Sequence, residues 1–87
     1  MSIHQTAQFK KDVKRQKRRG KDLEKLKRVI ELLLSGTPLP SQYNDHPLYG
    51  DWKRHRDCHV EPDWLLIYRL EDETLFLERT GTHADLF

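Results

Sequence analysis

The hydrophobic period of this chain changes once, around Pro38-Leu39-Pro40, and the change divides it into a helical half and a strand half. Before the prolines, Leu23, Leu26, Ile30 and Leu33 recur at steps of three, four and three, the spacing that lines one face of an α-helix. After them, Trp52, Arg54, Arg56, Cys58 and Val60 alternate with Lys53, His55, Asp57 and His59, the period of an extended strand. Proline lacks a backbone donor and biases its predecessor toward extended structure, so neither pattern runs through the junction. Helices first and strands second make an α+β domain.

The helical half reads as a hairpin. One helix starts at Ala7 with Thr6 as its N-cap, carries Phe9 and Val13 as a narrow apolar stripe, and ends before Gly20. A second follows Asp22, and Val29, Leu32 and Leu34 widen its stripe, so it is expected to carry much of the core while the first lies outside with its basic face wet. Residues 35–51 read as a long loop, a feature often tied to function in a compact domain. The strand pattern from Trp52 to Val60 ends at the turn Glu61-Pro62-Asp63. Trp64–Leu70, a polar Glu71-Asp72-Glu73 loop and Thr74–Thr80 complete a three-stranded antiparallel meander, with Ile3 available as an added edge strand. The expectation is a single domain over residues 1–87, an N-terminal helical hairpin packed on a small antiparallel sheet. Eighty-seven residues suffice to close a core without staples.

Charge is divided along the same line. Residues 1–34 hold eleven Lys/Arg against four Asp/Glu, a net +7, and residues 35–87 hold five against ten, a net −5. Most of the positive charge comes from Lys10, Lys11, Lys14, Arg15, Lys17, Arg18 and Arg19, which have no evident core role and suit a polyanionic partner such as RNA. A lone cysteine, Cys58, forms no internal disulfide, and the longest uncharged apolar runs, Leu32–Leu34 and Trp64–Tyr68, fall far short of a membrane span. No apolar segment resembling a secretory signal follows Met1. A cytoplasmic protein without membrane contact is expected.

Four of the five histidines fall after residue 45, and histidine is the side chain that titrates nearest neutrality. His55, Asp57, Cys58 and His59 are close in sequence, but on a strand His55 and His59 lie about 13 Å apart and Cys58 points to the other face. No metal site is therefore expected. Asp57 and His59 project from one face about 6–7 Å apart, near Asp63 and Trp64 at the turn, His46 on the long loop and His83 beyond the last strand. A meander gathers such positions at one sheet edge, where they can take a proton from one oxygen and deliver one to another. Trp64 and Phe87 offer stacking surfaces for splayed RNA bases. Arg79 offers a phosphate contact, whereas Arg54 and Arg69 are read as structural partners of carboxylates and His4 and His55 as hydrogen-bonded surface groups.

The segments Asp45-His46-Pro47-Leu48, Trp52-Lys53, Arg56-Asp57, His59-Val60-Glu61-Pro62-Asp63-Trp64 and Glu78-Arg79-Thr80-Gly81-Thr82-His83-Ala84, with Leu86 and Phe87, resemble YafQ-type toxins of the RelE/ParE toxin–antitoxin superfamily. The resemblance implies a ribosome-dependent endoribonuclease that cuts translated mRNA in the A site without a cofactor. It implies catalytic roles for His46, His59, Asp63 and His83, with Trp64 and Phe87 as supporting contacts to the substrate or the site; Asp57 and Arg79 are read from their positions as further substrate contacts. As partners it implies a DinJ-like antitoxin, the 70S ribosome and mRNA, with operator DNA bound only through the antitoxin. Chemistry of this kind assigns His83 as general acid, and Asp63 with His59 or His46 as the base and its orienting partner. The competing reading is a ParE-like poison of DNA gyrase, which needs no acid–base cluster.

Overall fold

The computed structural model describes residues Met1–Phe87. The chain runs β1 (Ser2–Gln5), α1 (Ala7–Arg18), α2 (Leu23–Leu34), β2 (His46–Pro47), β3 (Arg56–Glu61), β4 (Trp64–Glu71), β5 (Thr74–Gly81) and α3 (His83–Leu86). Single 3-10 turns at Ser41–Tyr43 and Gly50–Trp52 punctuate the loop. The helices follow their sequence signals closely. Thr6 Oγ1 accepts the Phe9 amide proton and Asp22 accepts that of Glu24, each satisfying a donor the first helical turn leaves free. Gly20 takes a positive φ of 81°, the left-handed residue beyond α1.

The sheet has five strands in the order β1-β5-β4-β3-β2, and it is mixed rather than wholly antiparallel. The meander β3-β4-β5 is antiparallel as expected, but β1 lies parallel to β5, Ile3 opposite Leu75. Residues 6–73, with both long helices and strands β2 to β4, lie between the two partners, far more than the dozen residues that parallel pairing requires. Two further differences lie in the loop and at the end. His46-Pro47 pairs with Arg56-Asp57 as a short edge strand, a two-residue element too brief for any periodicity to reveal. The alternation from Trp52 to His55 is not strand: Trp52 closes a 3-10 turn and Arg54 sits at φ 72°, so β3 starts at Arg56.

Both faces of β4 are covered. On one face α1 and α2 bury Phe9, Leu26, Val29 and Leu33 against Cys58, Trp64, Leu66, Tyr68, Leu75 and Leu77. On the other a smaller cluster joins Leu65, Ile67 and Leu86, with Leu48 and Trp52 packed at its margin. Helix α1 is less peripheral than its sequence suggests. Asp12 is fully buried, where its carboxylate accepts from Arg79 Nε (2.7 Å), the Thr80 amide (3.1 Å), Arg15 Nη2 (3.1 Å) and Gln8 Nε2 (3.0 Å). A buried carboxylate is tolerable only when so fully engaged, and this one ties α1 to the strand that carries the end of the chain.

Candidate active site

The open face of the sheet edge collects the histidines. β2 places His46 directly opposite Asp57 on β3, a pairing the hairpin extends with the Leu48 amide donating to the His55 carbonyl. His46 Nδ1 lies 2.7 Å from the Asn44 carbonyl oxygen. A carbonyl only accepts, so that nitrogen carries a proton and Nε2 is the atom turned toward Asp57 Oδ1 at 3.2 Å. Asp57 is buried, and its Oδ1 has no aligned hydrogen bond. Burial pushes its carboxyl above the usual carboxylate range, opposed by His46, His59 and His83.

His59, two residues along β3, shares the Asp57 face as strand alternation requires. Its ring stands between the other two, with centroids 6.3 Å from His46 and 5.6 Å from His83. His83 is the first residue of α3, which Thr82 and Asp85 start with a reciprocal capping box. Asp63, the last residue of the β3–β4 turn, receives both the His83 amide proton (2.9 Å) and the Nδ1 proton (2.6 Å). Those two donors hold the Asp63 carboxyl below the usual carboxylate range. With Nδ1 engaged, His83 presents Nε2 outward. The cluster can therefore donate a proton at one end and accept one in the middle. No group of three or more His, Cys, Asp or Glu side chains converges with metal-ligand geometry.

The family model for YafQ, bacterial toxins of type II toxin–antitoxin systems, matches residues 1–87. The chain belongs to the YafQ family. The mRNA interferase toxin YafQ of Escherichia coli K12 is 57% identical over 86 residues, 98% of this chain and 94% of that protein. The crystal structure of YafQ from E. coli BL21(DE3) superposes with a TM-score of 0.95 at 55% identity, covering 99% of this chain and 97% of that one. A crystal structure of the E. coli DinJ–YafQ complex gives 0.93 at 55% identity over the same shares of the two chains.

Around this YafQ-type cluster, some expected contacts find other employment. Trp64 is fully buried among the helices, its Nε1 donating to Thr80 Oγ1 at 2.9 Å, so it shapes the site from beneath and offers no stacking face. Arg79 is bound to Asp12 through Nε and Nη2 rather than free for phosphate. Phe87 is exposed, one turn after His83, with its ring edge-on to Trp52 at 6.5 Å. His55 is half-buried, its Nδ1 donating to the Lys53 carbonyl and its ring edge-on to Trp52. Asp63 pairs with His83 and not with His46 or His59. Arg69 is structural, as expected, bridging Glu71 and stacking 3.8 Å over Phe76, but Arg54 makes no ion pair. Of the seven basic residues on α1 and its C-cap, Lys10, Lys11, Lys14, Lys17 and Arg18 are exposed and unpaired, whereas Arg15 and the cap residue Arg19 reach Asp85 on α3. Sequence reasoning missed Asp85 and Asp12; the Thr82-x-x-Asp85 spacing was the one signal for the first, and nothing local marked the second.

Proposed function

We infer that the protein is the toxin of a type II toxin–antitoxin pair and an endoribonuclease that cleaves mRNA. The observation that supports this best is the run of three histidine rings at one sheet edge, one of them oriented by Asp63 at 2.6 Å. In-line cleavage of RNA needs a base for the ribose 2′-OH and an acid for the departing 5′-oxygen. His83 is the acid: Asp63 accepts its Nδ1 proton and so orients the ring, leaving Nε2 to deliver a proton to the leaving oxygen. His59 is the base, since neither of its ring nitrogens makes a hydrogen bond within the chain. The 2′-oxygen attacks phosphorus as His59 takes its proton, and the products are a 2′,3′-cyclic phosphate and a 5′-hydroxyl. His46, held beside Asp57 by its Nδ1 contact to the Asn44 carbonyl, is placed to meet the phosphorane oxygens. Each proton-transfer group is worth about 10²–10⁴-fold in rate. Phe87 stacks on a flanking base.

Lys10, Lys11, Lys14, Lys17 and Arg18 dock the protein on ribosomal RNA, so that the strand cut is the translated message in the A site, in the cytoplasm. A DinJ-like antitoxin neutralises the protein, and the pair represses its own operon, with operator DNA held through the antitoxin. The test is induction in a bacterial host followed by primer extension on a translated mRNA. Cuts in frame with codons are expected; an intact message accompanied by DNA damage would replace this reading with gyrase poisoning.

A further inference from the structure

Helix α3 is a single turn of four residues, too short to persist on its own, yet it carries the proposed acid at its first position. What holds it is unusual in coming from the far end of α1. Arg19 donates from Nη1 and Nη2 to the two oxygens of Asp85 at 2.6 and 3.0 Å, the paired geometry that only a guanidinium offers a carboxylate. Arg15 Nη2 lies 3.6 Å from the same carboxylate and 3.1 Å from buried Asp12, which joins α3 to the network around Arg79. Asp85 also accepts the Thr82 amide proton at 2.9 Å, closing the capping box immediately before His83. Gly81 completes the fit, because a Cβ there would lie 2.7 Å from Asp85 Oδ2 and 3.1 Å from Arg15 Nη2.

We propose that Arg19 and Arg15, acting through Asp85, are positioning residues that latch α3 and thereby hold His83 in place against Asp63. The inference rests on the reading of His83 as the catalytic acid. It separates these two arginines, one on α1 and one capping it, from the five unpaired cations of that helix. A docking residue changes how tightly the ribosome is held, whereas a positioning residue changes the rate once it is bound. A displacement near 1 Å in a reacting group costs on the order of 100-fold. The Asp85 carboxyl is held well below the usual carboxylate range, chiefly by its hydrogen bonds from Arg19, so the latch stays closed at all physiological pH.

Single-turnover cleavage of message on programmed 70S ribosomes, across a titration of the full chain, tests the proposal. Arg19→Ala is expected to lower the saturated rate about 10- to 100-fold with the half-saturation concentration unchanged. Arg19→Lys recovers part of the rate, since it keeps the charge but not the paired geometry. Lys17→Ala, two residues away and unpaired, moves the half-saturation concentration instead. A second measurement uses the free protein: NMR titration of the Asp63 carboxyl in 0.2 M salt, where distant charges are largely screened. The charged groups facing Asp63 are His83, which lowers its pKa, and Asp85, which raises it. Release of α3 by Arg19→Ala takes the two His83 donors away, so the Asp63 midpoint moves up toward the ordinary value. A raised half-saturation concentration at an unchanged saturated rate would overturn the latch in favour of docking, as would an unmoved Asp63 midpoint. A parent protein that cleaves nothing would instead overturn the ribonuclease reading, and the Asp63 titration would still decide whether the latch exists.

Discussion

The two faces of strand β3 show how this small domain keeps stability and chemistry apart. Cys58 points under the helices and is wholly buried among Trp64, Leu66 and Tyr68. That burial pushes its thiol pKa up, which keeps it a neutral packing group. Asp57 and His59, its immediate neighbours, point the other way, where no helix covers the sheet edge and three histidine rings gather. Strand alternation alone makes this division, since each step reverses the side chain. The covered face spends its side chains on apolar contact; the open face keeps titratable groups close to water and to each other. The difference teaches that the histidine cluster lies outside the core, whereas the few polar groups on the covered side are part of it.

The largest expected effect belongs to the open face. His83→Ala should lower cleavage by about 10²–10⁴-fold and remove growth arrest, while leaving the thermal melt and antitoxin binding as in the parent. A variant that still arrests growth would remove His83 from the acid role. On the covered side, Asp12→Ala should do the reverse. It strips Arg79, Arg15 and the Thr80 amide of a common acceptor, at a cost of about 2–4 kcal/mol in unfolding free energy. Chemical denaturation measures it, and an unchanged midpoint would show that the network contributes little.

The outer face of α1 is a third environment, neither core nor active site. Reversing Lys10, Lys11 and Lys14 to Glu should leave stability and the chemical step alone but weaken ribosome binding, with a shallower dependence of affinity on salt. An unchanged affinity across a salt titration would mean that RNA docks elsewhere. The smallest effect is expected where the two faces meet in one residue. Asp57 is on the open side yet buried, and its carboxyl pKa lies above the ordinary 3.8 in the folded chain. A raised folded value means that the stability it contributes is full below the unfolded pKa and is lost as pH rises through the folded one. Asp57→Asn should therefore remove that loss, so the variant gains on the parent as pH rises from about 4 toward neutrality, even as cleavage falls. Glu61, Asp63 and Asp85 have lowered values and contribute stability above the ordinary carboxylate range that is lost as pH falls through them, in both proteins alike. Parallel stability–pH curves for parent and variant would show that Asp57 does not titrate as its burial requires.

Much of this was legible in the residues themselves. Apolar spacing and the caps at Thr6 and Asp22 determined α1 and α2, because capping and amphipathic burial are local matters. Period-two alternation with polar turns determined the β3-β4-β5 meander, and the resemblance pointed to His46, His59, Asp63 and His83, which the structure brings to one sheet edge. Only the tertiary structure decided who meets whom. That Asp63 serves His83 and not His46 depends on a contact across twenty residues. That β1 is parallel and that Trp64 faces inward depend on which strand edge and which sheet face the helices occupy. Asp12 and Asp85 show the limit most clearly. Each is an ordinary polar residue on its own helix, and their partners lie more than sixty residues away along the chain. Pairing of charges is set by distance in space, and a sequence encodes that distance only once the core has folded around it.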